Sequence, residues 1–351
     1  MLCVTNGYTN RLQCSEASKR QGGNRLSRLG KTIGARCVLL LLLVTVLLRI
    51  VFSYALNALF STQALMQTEI YYAATLVLGV VTMGIPVFLL IYLFRPRYVS
   101  VLKAQMEYPP FSATLRVVMA GVIGSFMLQL YSQLWAMLLE MIGVPLWVYD
   151  VPLPNNGAQI ILAIAAVALM PAILEELLFR GVLLEGLKKE LSRKAAIWLT
   201  ALLFAFMHGS VVGLPAHLTL SFVLTLLAER QNNLQLPMVY HFTHNATMLL
   251  LSLYFRKVFE GMDASTQAAA DISGPGILWA IMSLFFMAVM LTFVYWRLLK
   301  PLIMTSGTRN ADLMDNDPVP LKRRNKVIVY GLIAILMAFL LFQYILNLFP
   351  A

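Results

Sequence analysis

Apolar stretches long enough to cross a bilayer recur along this chain, near 37–60, 71–94, 117–143, 159–187, 195–209, 216–229, 235–255, 276–297 and 327–349. About 20 helical residues cross a hydrocarbon core of about 30 Å, so the pattern calls for eight or nine spans. In lipid a helix satisfies every backbone N–H and C=O within its own segment. The expected fold is therefore all-α, a polytopic transmembrane helical bundle. Composition agrees, with 60% of the 351 residues hydrophobic and 12% charged, against about 25% charged in soluble domains. The fifth and sixth windows are short and joined by 208–215, which predicts a tight hairpin or re-entrant pair buried in protein.

A net charge of +11 does not point to nucleic acid, because the basic residues sit in connections between apolar windows, where they report orientation. Lys and Arg in the N-terminal arm, at 95–103, at 188–194, at Arg230, and at Lys300 and 322–326 read as cytoplasmic. The connections near 61–70 and 144–158 carry Glu69 and Asp150 without a basic residue and read as external. The segment 256–275 fits less well, opening on Arg256 and Lys257. Nine spans place the N-terminus in the cytoplasm and the C-terminus outside, in a multi-pass protein of the cell membrane. Cys3, Cys14 and Cys37 have neither CxxC spacing nor a nearby His, which argues against a disulfide framework or structural zinc. The first window runs past Arg49 to bilayer length, so it reads as a retained helix rather than a cleaved signal.

Within the fourth window, Glu175, Glu176 and Arg180 interrupt an otherwise apolar run. Each such charge costs about 2.5–3.5 kcal/mol at a helix centre on insertion scales, which marks the group as functional. At about 100° per residue Arg180 falls one turn from Glu176 on the same face, and Glu175 is rotated away. Glu176 is thus expected to pair with Arg180, leaving Glu175 for chemistry. All four histidines, His208, His217, His241 and His244, follow this pair. Phe204 and His208 share a face at i, i+4, as do His241 and Asn245. At 1.5 Å per residue, Glu175, His208, His241 and Asn245 lie about 10–20 Å from the basic ends of their helices and can meet in one cavity. Arg49 is a further intramembrane charge with no evident partner, and His217 and His244 fit no such pairing as neatly, although His244 lies one turn from His241, where it can support that residue.

Glu175-Glu176-x-x-x-Arg180, Phe204-x-x-x-His208 and His241-x-x-x-Asn245, in that order, resemble the three signature motifs of the CPBP intramembrane proteases. That group includes the type II CAAX prenyl endopeptidases and bacteriocin-immunity proteins. The resemblance covers roughly 159–255 and implies a conical catalytic cavity in the central helices. It assigns water activation to Glu175, assistance to His208, and the flanks of the scissile carbonyl to His241 and Asn245, with Glu176, Arg180 and Phe204 in support. It implies a membrane-associated or prenylated protein or peptide substrate and divides the chain into four parts. These are a basic cytoplasmic arm (1–36), three accessory spans (37–158), the catalytic core (159–255), and two C-terminal spans (256–351) with a polar linker at 304–326. No cofactor is expected. Zinc held by Glu175, His208 and His241 is the alternative, although no compact zinc signature such as HExxH occurs. A non-catalytic immunity or scaffold protein and a proton-coupled carrier are the competing classes. A cavity facing the cytoplasm suits either a prenylated protein or a peptide.

Overall fold

The computed structural model describes residues 34–93, 102, 105–144, 146, 151–260, 275–304 and 323–348. The basic arm through residue 33, residues 305–322 of the linker, Cys3, Cys14 and Asp150 lie outside them. The described residues are helical, with no strand among them. Nine of their helices exceed three turns: α1 (Ala35–Leu59), α2 (Thr68–Gly79 continued by Val80–Gly84 and Ile85–Leu93), α3 (Phe111–Met141), α4 (Gly157–Leu187), α5 (Arg193–Met207), α6 (Leu214–Gln231), α7 (Gln235–Glu260), α8 (Pro275–Met304) and α9 (Arg323–Leu348). The molecule is a helical membrane bundle.

Five of these are long and apolar enough to cross a membrane: α1, α2, α3, α4 and the Ile281–Met304 part of α8. Helix α9, 26 residues long, is apolar over Val327–Phe342. That is fewer than the eight or nine windows, for reasons visible in the chain. Helix α5 has 15 residues, α6 ends on Glu229 and Arg230, and α7 carries His241, His244 and Asn245 in its first half.

Two large apolar clusters account for most of the packing, and a smaller one, with Tyr72, Ala163, Ala166 and Leu249, joins α2, α4 and α7. Of the large clusters, one joins α1, α2, α4, α5 and α9, through residues such as Leu39, Val87, Leu183, Phe204 and Leu336. The other joins α3, α6, α7 and α8, through Val117, Leu224, Tyr240 and Leu299. Packing in lipid lacks a hydrophobic drive between helices and favours small residues that admit close approach. Gly121 on α3 is such a position: a Cβ there would stand 2.9 Å from Thr243 Cβ and 3.2 Å from the Tyr240 carbonyl oxygen on α7. Just beyond, the Tyr240 and Tyr295 hydroxyls meet at 2.6 Å, tying α7 to α8.

The two ends of the bundle differ in chemistry. At one, nearly buried Glu229 at the end of α6 pairs with Lys188 Nζ at 2.7 Å and Arg193 Nε at 2.6 Å. Lys188 also reaches Glu185 at 2.8 Å, so the connections that carry basic residues converge here. At the other end, the segment 151–156 is clasped between two helices. Tyr72 donates to the Pro152 carbonyl at 2.9 Å from α2, and Arg256 donates to the Leu153 and Pro154 carbonyls and Asn155 Oδ1 from α7.

Gly121→Leu adds a side chain where a lone Cβ already collides, and overpacking of this kind costs about 1–3 kcal/mol. The expected outcome is a lower thermal unfolding midpoint in detergent. Gly157→Ala, at a position with nothing within 4 Å, serves as the neutral control. Equal midpoints for the two variants would mean that α3 and α7 do not pack at Gly121.

Candidate active site

Helix α4 is the scaffold of the site, and it is not a regular α-helix. It passes through a π-helical stretch at Ile164–Leu169 and a second at Leu177–Leu184. The first immediately precedes Pro171, which has no N–H to donate and whose ring crowds the carbonyl four residues back. Widening to i→i+5 bonding, as from the Met170 N–H to the Ala165 carbonyl, lets the helix continue past the proline. Glu175 and Glu176 therefore lie on a short α-helical segment, Met170–Glu176, between two π turns. The uniform 100° wheel applied to the sequence does not hold over this stretch.

Arg180 is fully buried, and its donors are met from three directions. Nη1 pairs with Glu176 Oε1 at 2.8 Å. Nη2 reaches the Ser221 hydroxyl at 2.7 Å and the Ser221 carbonyl at 3.0 Å, and Nε reaches Thr225 Oγ1 at 3.3 Å. The guanidinium also lies 4.6 Å from the Phe204 ring centroid, a cation–π contact. Phe204 thereby acts on the pair, not only on His208. Ser221 and Thr225 escaped the sequence reading, although their i, i+4 spacing on α6 was a polar stripe open to notice.

Glu176 Oε1 also lies 2.8 Å from His241 Nδ1. A carboxylate can only accept, so the proton belongs to Nδ1 and Nε2 turns away toward Glu175. His208 is set in the same way from another element. It stands at the C-cap of α5, followed by Gly209 at φ +65°, a left-handed conformation that ends helices. Its Nδ1 donates to the Phe204 carbonyl at 2.9 Å. The turn that follows is held to α3 by Trp135 Nε1 on the Val211 carbonyl, 3.0 Å. Both imidazoles thus aim Nε2 at one carboxylate oxygen: Glu175 Oε2 is 3.9 Å from His208 and 4.0 Å from His241. That oxygen is buried and has no hydrogen-bond partner among the described residues.

These groups open onto a cavity of about 570 Å³ whose lining includes Glu175, His208, His241 and Asn245, together with Arg49, His217 and His244. Sequence spacing gave Arg49 and His217 no place, and set His244 one turn from His241. His217 stacks on His208 with centroids 4.2 Å apart, and Ser125 Oγ lies 3.0 Å from His244 Nδ1. Arg49 donates to the Met207 carbonyl at 3.2 Å. From the carboxylate the lining climbs α4 through Pro171, Met170 and Val167, α2 through Met83 and Thr75, and α7 through Met248 and Ser252, reaching Val151 and Leu153. The cavity thus runs toward the clasped segment, away from the end that gathers Lys188, Arg193 and Glu229. Depth along the helices locates the reactive groups but not the direction in which space opens from them. Among the described residues no group of three or more His, Cys, Asp or Glu side chains is arranged to hold a metal ion.

Comparison with known families places this chemistry. Residues 157–247 match the family model described as type II CAAX prenyl endopeptidase Rce1-like. No curated protein and no solved structure matches the chain. The matched segment begins at the first residue of α4 and ends two residues after Asn245, so it contains all three motifs. The similarity to the type II CAAX prenyl endopeptidase Rce1-like family thus lies in this central block, residues 157–247.

Proposed function

We propose that this chain is an intramembrane endopeptidase that hydrolyses a peptide bond in a membrane-associated, lipophilic or prenylated protein or peptide, using a water activated by Glu175. The observation that carries the reading is the unpartnered Glu175 Oε2, faced by two imidazole Nε2 atoms at 3.9 and 4.0 Å. Water placed among them gives one proton to Glu175 as its oxygen bonds the scissile carbonyl carbon. The carbonyl oxygen gains the electron pair, and the Asn245 amide, one turn from His241 on the cavity wall, donates to it. A donor aimed at such an oxyanion contributes about 2.7–4 kcal/mol. The abstracted proton then passes to the departing amine, with His208 assisting, and the C–N bond breaks.

Glu176 and Arg180 act at one remove. Glu176 orients the His241 ring, and Arg180 holds Glu176 in place. Zinc on Glu175, His208 and His241 would instead supply Lewis-acid activation of the water. The metal-free route is preferred because Glu176 and Arg180 already provide the arrangement a carboxylate base needs. Retention of Lys and Arg in the cytoplasm puts the N-terminal arm there, and on that orientation the cavity rim lies toward the outer side.

Purified protein in detergent, offered a quenched-fluorescent prenylated peptide and a mixed peptide library, tests this. Glu175→Gln and His208→Ala are expected to lower kcat by about 10²–10⁴-fold, and Asn245→Ala by about 10²–10³-fold, with wild-type cleavage resistant to chelator. Cleavage that survives Glu175→Gln defeats the assignment of the base, and chelator-sensitive cleavage restored by zinc defeats the metal-free route. A well-folded wild type that cleaves nothing moves the reading to an immunity, scaffold or carrier protein. Separately, Arg180→Met strands a buried carboxylate and is expected to cost about 3–5 kcal/mol, seen as a lower unfolding midpoint. Glu175→Gln removes no hydrogen bond at Oε2 and is expected to leave that midpoint near the wild-type value.

A further inference from the structure

Arg49 lies outside the matched block, on α1, fifteen residues into a helix of 25. A guanidinium at that depth is costly to insert and calls for a specific use. Its one hydrogen bond among the described residues runs to the Met207 carbonyl, a free acceptor at the end of α5 and next in sequence to His208. An arginine carries five donors in a planar fork, so most of them are left for something else. Arg49 lines the same cavity as Glu175. The two charges act on one another, yet they form no ion pair within 4 Å. Space therefore separates the cation from the proposed base within one cavity.

We propose that Arg49 is a specificity-determining residue that binds a carboxylate of the peptide substrate while Glu175 serves the scissile bond. This rests on the endopeptidase reading and deepens it. A fork of N–H donors matches a carboxylate in two parallel hydrogen bonds, and Arg does this where Lys provides only a point charge. The group bound is either the peptide's own C-terminus or an acidic side chain near the bond that is cut. Both offer the same planar anion. Elsewhere the cavity wall is largely apolar, with Leu78, Met83, Val167, Met170 and Leu249, so a peptide anion entering it finds few cations to choose from. Arg180, the other cation at the centre, is consumed by Glu176, Ser221 and Thr225.

Three quenched-fluorescent farnesylated peptides of one sequence decide the matter: a free C-terminal carboxylate, a C-terminal amide, and an amide with one Asp added beside the cleaved bond. The wild type is expected to favour a carboxylate-bearing peptide over the plain amide by about tenfold or more in kcat/KM, through KM, as a charge-assisted pair allows. Arg49→Gln is expected to lose that preference, and Arg49→Lys to keep part of it. Preference carried by the free terminus identifies the C-terminal carboxylate, and preference carried by the Asp peptide identifies a side chain. A wild type indifferent to both, or a preference intact in Arg49→Gln, overturns the proposal. So does an equal fall in kcat on all three peptides, which would assign Arg49 to holding Glu175 or the Met207 end of α5. Fluorescence anisotropy of the same peptides on Glu175→Gln protein, with and without Arg49→Gln, reads the preference without cleavage. A failed hydrolase is thereby separated from a failed carboxylate site.

Discussion

A single buried guanidinium organises the centre of this bundle. Arg180 is enclosed by protein and joined to Glu176 on its own helix and to Ser221 and Thr225 on α6. Through Glu176 it also reaches His241 on α7. Three helices are thus registered against one another by charge-assisted hydrogen bonds in a medium where no water competes. Removing one partner exposes another buried charge to apolar surroundings, which makes the set intolerant of partial loss. The two large apolar clusters leave these polar positions at the seam between them.

Adjacent residues are held differently here. Glu176 Oε1 is shared by Arg180 and His241, whereas Glu175, one position earlier, lines the cavity with Oε2 near two imidazoles and in no hydrogen bond; Oε2 of Glu176, away from the cavity lining, has none either among the described residues. The difference lies in what each carboxylate meets. It depends on the backbone, since the pair sits on a short α-helical segment between two wider turns. The two carboxylates are matched by two guanidinium groups, Arg180 in contact and Arg49 across the cavity. The charged centre is therefore formally balanced without drawing on the imidazoles.

Much of this was legible in the chain. Apolar windows locate the helices to within a few residues, and i, i+4 spacing anticipates the Glu176–Arg180 pair and the shared face of Phe204 and His208. What spacing along one helix cannot convey is contact between helices. Arg49 on α1 and His217 on α6 looked unpartnered because their neighbours, Met207 and His208, belong to α5. Nor does depth along a helix give the direction in which a cavity opens, which depends on which helix ends splay apart. The span count was blurred in the stretch after α4, where α5 is short and α6 and α7 carry charged or polar residues within their apolar windows.

The form of the cavity bears on what can reach Glu175. Its volume is about 570 Å³, and it is partly open rather than sealed. Its far end is crossed by the segment that Tyr72 and Arg256 hold down. On the endopeptidase reading proposed above, a helical substrate holds each peptide carbonyl in an intrahelical hydrogen bond, so a bond offered to Glu175 is one whose helix has opened. Selection on that reading depends on the local conformational stability of the substrate: glycine, proline or a frayed helix end near a bond opens it to attack, and a firm helix protects it.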